Sequence, residues 1–235
     1  MSGDERLSII IPVFNEASTL REVIDRLLAV DLPVPREIIV VDDGSTDGTG
    51  EVLDAALRGS LPITVLRASA NGGKGTAIRL GLERARGTIV AIQDADLELD
   101  PQQLATLVAP ILDGQSSVVY GSRFLAGRGG APLVTFVANR TLTAVTNLLF
   151  GAALTDMETC YKVMRTTVAR SLQLRAARFE IEPEITARLL RAGHRIHEVP
   201  VRFDPRSRAQ GKKIGWRDGV TALQVLMRER CAPRP

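Results

Sequence analysis

The stretch LSIIIPVFNEASTLREVIDRLLAV, residues 7–30, holds two periods back to back. LSIIIPV is a short apolar run rich in β-branched residues, which predicts a buried strand. After the polar break at FNE, Leu20, Val23, Ile24, Leu27 and Leu28 fall on one helical face. The same alternation repeats downstream. EIIVVDDGSTDGT predicts a strand and a turn, GEVLDAAL a helix, PITVLRA a third strand, NGGKG a turn and TAIRLGLERAR a helix. TIVAIQDAD reads as a fourth strand and SSVVYGSRF as a fifth. Between them, DPQQLATLVAPIL places Asp100 as an N-cap with Pro101 at the first helical position. Repeated strand–helix units predict an α/β fold with a mostly parallel sheet covered by helices on both faces. Ligands of such sheets gather beyond the carboxyl ends of the strands. FNE, DDGSTDG, NGGKG and DADLE all fall there.

Bulk properties narrow the classes. The chain has 235 residues, 45% of them apolar, enough for one large domain whose core needs no disulfides. A net charge of +3 and 4% aromatic residues argue against nucleic acid as a partner. From Arg188 onward basic residues far outnumber Glu198, Asp204, Asp218 and Glu229, which suggests an anionic ligand or surface near that third. Cys160 and Cys231 lack CxxC spacing, so free thiols and a reducing, cytoplasmic setting are expected. MSGDERLS has acids and no apolar core, so a signal peptide is not expected. No bilayer span is expected either, because Asn139 and Arg140 interrupt the longest apolar stretch.

The polar clusters carry the chemistry. DDGSTDGT is compatible with a plain strand-to-helix turn, yet adjacent acids ending a buried strand also suit ribose hydroxyls or a base edge. NGGKGTA fails the P-loop and dinucleotide patterns, leaving Lys74 as an anion contact at a helix N-terminus. His194 and His197 have no Cys or third His beside them, and a structural role is preferred to zinc. In DADLE, an extended backbone would bring Asp94, Asp96 and Glu98 to one face. Oxygen ligands without His or Cys suit Mg²⁺ or Mn²⁺, ions that usually bridge one or two carboxylates to substrate phosphates.

Taken in order, IIIPVFNE, VVDDGSTDGT, NGGKGTA, QDADLE, YGSRF, DMETCYKVMR, FEIEPEITARL and EVPVRF with GKKIGW resemble family-two glycosyltransferases of the GT-A fold. Within that family the resemblance is to dolichol- or polyprenyl-phosphate hexosyltransferases of the dolichol-phosphate mannose synthase type, over residues 7–225. It implies a single GT-A domain over 1–235, an acceptor-binding helical segment at 128–155 and a flexible basic loop at 204–215. It implies that Pro12, Phe14, Glu16, Val40 and Asp42 surround the nucleoside, with Lys74 beside them. Asp94, Ala95 and Asp96 match the DXD motif, with Asp96 the main metal ligand and Glu98 its neighbour, where relatives often carry an amide. Arg123 would line the sugar and phosphate region, Arg140 would face the acceptor phosphate, and Arg206 and Lys212 would close over the donor diphosphate.

The implied reaction is metal-dependent, inverting transfer of a hexose from GDP-mannose or UDP-glucose to a polyprenyl or dolichyl phosphate. A hydroxyl acceptor is the first alternative, with Asp156 or Glu158 as general base. A nucleotide-sugar-binding module without turnover is the second. FVANRTLTAVTNLLFG is expected either to lie in the membrane interface, presenting Arg140 to a lipid phosphate, or to pack as a buried helix on the sheet. The first placement makes the protein peripheral on the cytoplasmic face of the membrane and leaves room for an integral-membrane partner.

Overall fold

The computed structural model describes residues 5–128, 130–205 and 216–232. Its strands are β1 (Leu7–Val13), β2 (Arg36–Asp42), β3 (Ile63–Arg67), β4 (Ile89–Ile92), β5 (Val118–Ser122), β6 (Lys162–Arg165) and β7 (His197–Pro200). They form one sheet in the order β3-β2-β1-β4-β6-β5-β7. The expected α/β architecture is present, and β1 pairs in parallel with both β2 and β4. One expectation needs correcting. The fifth predicted strand is not the neighbour of the fourth, because β6 lies between them and runs antiparallel to both. β6 has four residues and begins with a lysine, so apolar periodicity does not mark it.

Period-two alternation on β1 divides the core. Ile9, Ile11 and Val13 pack with α1 (Leu20–Ala29) and with α4 (Leu104–Leu112), while Ile10 joins the cluster on the opposite face. That second cluster includes Ala77 and Ile78 of α3 (Lys74–Arg84) and Ile181, Ile185 and Leu189 of α7 (Ile181–Arg191). The α1 face is the predicted one: Leu20, Val23, Ile24 and Leu27 are buried. Asp100 is the expected cap, accepting from the Gln102 N–H at 3.1 Å ahead of a short 3₁₀ turn. The remaining helices are α2 (Thr49–Arg58), α5 (Leu133–Phe150), α6 (Thr166–Ser171) and α8 (Trp216–Cys231).

Helix α5 is neither buried nor on the sheet. It packs against α7 and α8, through a small cluster in which Leu142, Val145, Leu149 and Phe150 meet Met157, Ala187 and Leu226. Its outer face leaves Val134 and Leu148 83% and 84% exposed. The expectation that no segment could span a bilayer also needs correcting. By length and composition α5 is long and apolar enough, with a mean hydropathy of 1.3 over 18 residues, because Arg140, Asn139 and Asn147 lower that mean too little. Both cysteines are free thiols, Cys160 buried and Cys231 exposed.

Candidate active site

The loops after β1 and β2 are knitted together by side chains. Asn15, held at φ 54°, receives the Thr46 N–H on Oδ1 and donates its own N–H to Ser45 Oγ. The Glu16 N–H donates to Thr49 Oγ1, and the Ala17 N–H to Asp47 Oδ2. The DDGSTDGT cluster thus makes the contacts of a strand-to-helix turn. Asp43, the second acid, accepts the Gly72 and Gly73 N–H groups at 2.8 and 2.7 Å, and Asp42 accepts from the Ser45 N–H at 3.0 Å. Pro12 and Phe14 are half-buried at the strand end and Glu16 is buried, where it accepts from Thr19 Oγ1. Val40 departs from expectation: its side chain is fully buried in the core and offers no surface to a ligand.

Lys74 also departs from expectation. Its Nζ lies 2.7 Å from Asp94 Oδ1 and 2.9 Å from Glu182 Oε1. Burial alone would lower its pKa, but Asp94 and Glu182 reverse that and hold the ammonium well above its ordinary value. At the N-terminus of α3 the Thr76 N–H is taken by the Ala177 carbonyl. The glycines flanking Lys74 serve this close approach: a Cβ on Gly73 would lie 2.5 Å from that carbonyl oxygen, and one on Gly75 2.3 Å from that of Ala176.

The three acids of DADLE do not converge. Residues 95–98 bend rather than extend, and Asp96 Oδ1 accepts the Glu98 N–H at 3.0 Å. Asp94 turns to Lys74, and the Ala95 carbonyl accepts from Thr19 Oγ1 at 2.9 Å. Among the described residues no three His, Cys, Asp or Glu side chains gather as a metal site. The Asp96 carboxylate is an oxygen donor of the kind a hard cation takes when phosphate and water supply its other ligands; the segment does not fit an all-protein cage.

On the other side of the sheet centre, Arg123 is gripped by Asp156. Its Nε and Nη2 donate to the two carboxylate oxygens at 2.7 Å each, and its N–H adds a third bond at 3.0 Å. The guanidinium carbon lies 5.1 and 5.2 Å from the ring centroids of Phe124 and Phe203. Burial opposes the charge, but Asp156 raises the arginine's pKa further. With both oxygens engaged, Asp156 is a poor general base. Arg140, on exposed α5, donates to the Thr155 carbonyl at 3.0 Å, beside that pair. Glu198 of β7 fixes the same turn by accepting from the N–H groups of Thr155 and Asp156. Burial pushes the Glu198 carboxyl up. Glu158 is pushed up to about 7, chiefly by burial, and its Oε1 is buried with no hydrogen-bond partner. Arg206 and Lys212 lie outside the described residues.

Strand-end acids and a strand order with one antiparallel insertion coincide with a family match. The family model for glycosyl transferase family 2 covers residues 8–172. The chain belongs to glycosyl transferase family 2. This glycosyltransferase is 30% identical over 232 residues to the undecaprenyl-phosphate mannosyltransferase of Micrococcus luteus, covering 94% of this chain and 92% of the relative. It is 29% identical over 220 residues to the polyprenol monophosphomannose synthase of Mycolicibacterium smegmatis, covering 90% and 82%. Its fold matches Mycobacterium tuberculosis glucosyl-3-phosphoglycerate synthase with a TM-score of 0.75 at 22% identity, over 97% of this chain and 82% of that one. A structure of that enzyme with Mn²⁺, UDP and glucosyl-3-phosphoglycerate gives 0.73 at 21% identity, over 97% and 81%. These likenesses show the GT-A fold.

Sequence reasoning missed Glu182, Glu198 and Lys162. Glu182 had one legible signal: FEIEPEITARL sets three acids into or just before an otherwise apolar helical face. Buried acids at such a position need cationic partners.

Proposed function

We propose that this glycosyltransferase moves a hexose from a nucleotide-diphosphate sugar to a polyprenyl phosphate, with Mg²⁺ or Mn²⁺ held at Asp96. The observation that carries the acceptor is Arg140, a cation on an exposed apolar helix whose guanidinium donates to the turn that holds Arg123. Lying in the membrane interface, α5 would bring that cation to lipid headgroup depth. The names of the two relatives, matched over nearly the full chain, support the same acceptor class.

The donor side is read at Pro12, Phe14, Glu16, Asp42 and the Asp94–Asp96 segment. When bound, a divalent ion there supplies Lewis-acid stabilisation to the departing diphosphate. Lys74 is better read as holding Asp94 in place than as a phosphate contact. Arg206 and Lys212 are read as cations for the diphosphate, since an arginine fork matches phosphate geometry. A phosphate acceptor is already anionic at neutral pH, so inverting displacement at the anomeric carbon needs no general base. The protein is read as a single domain, peripheral on the cytoplasmic face of the membrane.

A hydroxyl acceptor is the second reading, and Glu158 is what favours it. A carboxyl near 7 with an unpartnered oxygen is poised for proton transfer. Incubation with GDP-mannose or UDP-glucose and either undecaprenyl phosphate or free sugars separates the two. Label passing into the organic phase supports the lipid acceptor. Label confined to water-soluble glycosides overturns it.

A further inference from the structure

Glu182 is buried at the start of α7, and its two oxygens hold two lysines from different elements. Oε1 lies 2.9 Å from Lys74 Nζ, and Oε2 pairs with Lys162 Nζ on β6. Lys162 is wholly enclosed. It also donates to the carbonyls of Thr159 and Met157, and its Nζ lies 4.8 Å from the Tyr120 ring centroid. Three N–H bonds aimed at three acceptors leave that ammonium no freedom, so Glu182 is anchored from behind. In front, Lys74 passes the restraint to Asp94 at 2.7 Å, two residues before Asp96. Lys74 cannot back away either, because Gly73 and Gly75 are pressed against the backbone of residues 176–177. Buried, mutually compensating charges of this kind hold one geometry, since any member that moves leaves another uncompensated.

We propose that Glu182 is a positioning residue for the donor end of the site: it fixes Asp94 through Lys74, with Lys162 as its anchor. The proposal rests on reading Asp94–Asp96 as the end that meets the metal and diphosphate. Glu182 touches neither; it decides where Asp94 sits. A partner in this outer layer typically changes metal affinity or activity by about 10–100-fold.

The test is calorimetric titration of the full chain with Mn²⁺ plus UDP and, in parallel, Mn²⁺ plus GDP. Wild type, E182Q, K74M and the double variant E182Q/K74M form a cycle. E182Q and K74M are each expected to weaken nucleotide binding about tenfold, and the double variant no more than K74M alone. In turnover, E182Q is expected to raise the donor KM and leave the acceptor KM unchanged. Because E182Q strands the Lys162 charge, E182Q/K162M removes both and preserves the fold. It is expected to show the same loss of nucleotide binding.

E182Q or E182Q/K162M melting as a folded protein with wild-type affinity would overturn the proposal. So would losses that multiply in the double variant, since two independent contributions would then be at work. Wild type that binds neither nucleotide with Mn²⁺ would overturn the donor-site reading itself, and this proposal with it.

Discussion

Replacing Asp156 by alanine should destabilise the protein heavily, and the structure allows the size to be worked out. Asp156 is 0% exposed and accepts three hydrogen bonds from Arg123, two of them a bidentate fork at 2.7 Å. The arginine side chain is only 12% exposed, packed between Phe124 and Phe203. Without the carboxylate, that guanidinium remains a buried cation packed against the faces of two uncharged rings. Removing one member of a buried pair costs about 3–5 kcal/mol, chiefly because the other charge is left uncompensated. For a chain of this size each kcal/mol shifts Tm by roughly 2–4 °C, so D156A should melt about 6–20 °C below wild type. The backbone turn should survive, because Glu198 holds the Thr155 and Asp156 N–H groups independently. R123M/D156A, which removes both charges, should therefore recover most of the loss. Urea denaturation of the wild type, both single variants and the double variant measures the cycle. D156A within about 1 kcal/mol of wild type, or a double variant as unstable as the sum of the singles, would refute the reasoning.

Other outcomes can be stated more briefly. Glu158 stays protonated to about 7 in the folded protein, whereas the unfolded chain ionises near 4.5. The folded state thus holds the extra proton in that window, and stability falls as pH rises through it, levelling above 7. The Tm advantage of E158Q over wild type should therefore widen between these values and then stop growing; a constant difference would contradict the assignment. G75A should cost about 1–3 kcal/mol or more, because its Cβ would meet the Ala176 carbonyl oxygen at 2.3 Å. G50A, in α2 with nothing within 4 Å, should stabilise by about 0.4–1 kcal/mol in the same denaturation assay. V134D/L148D on the exposed face of α5 should leave stability within about 0.5 kcal/mol but abolish flotation with anionic vesicles; retained flotation would place the membrane contact elsewhere.

The parts of the fold that depend on local periodicity were legible. Ile9, Ile11 and Val13 against Ile10 announce a strand buried on both faces, and Leu20, Val23, Ile24 and Leu27 announce the helix that covers it. β6 was not legible, because four residues led by Lys162 look polar until Glu182 and Tyr120 are brought to them from elsewhere in the chain. The same limit applies to the site. That polar clusters would meet at strand ends followed from topology. Which partner each side chain takes did not, because the partners are distant in sequence: Asp94 meets Lys74, and Glu198 reaches back to Thr155. The three-acid convergence failed for a local reason. A bend held by Asp96 accepting from the Glu98 N–H replaced the extended backbone that the spacing argument assumed.

A divalent ion at Asp96 is proposed to offset the negative charge of the departing diphosphate. The most direct test is transfer of labelled hexose to undecaprenyl phosphate by metal-stripped enzyme, with Mn²⁺ restored in steps, for wild type and D96N. Lipid-phase label should vanish in EDTA, return with Mn²⁺ in the wild type, and stay low in D96N. Undiminished transfer in EDTA, or D96N recovering like wild type, would contradict that role for the ion.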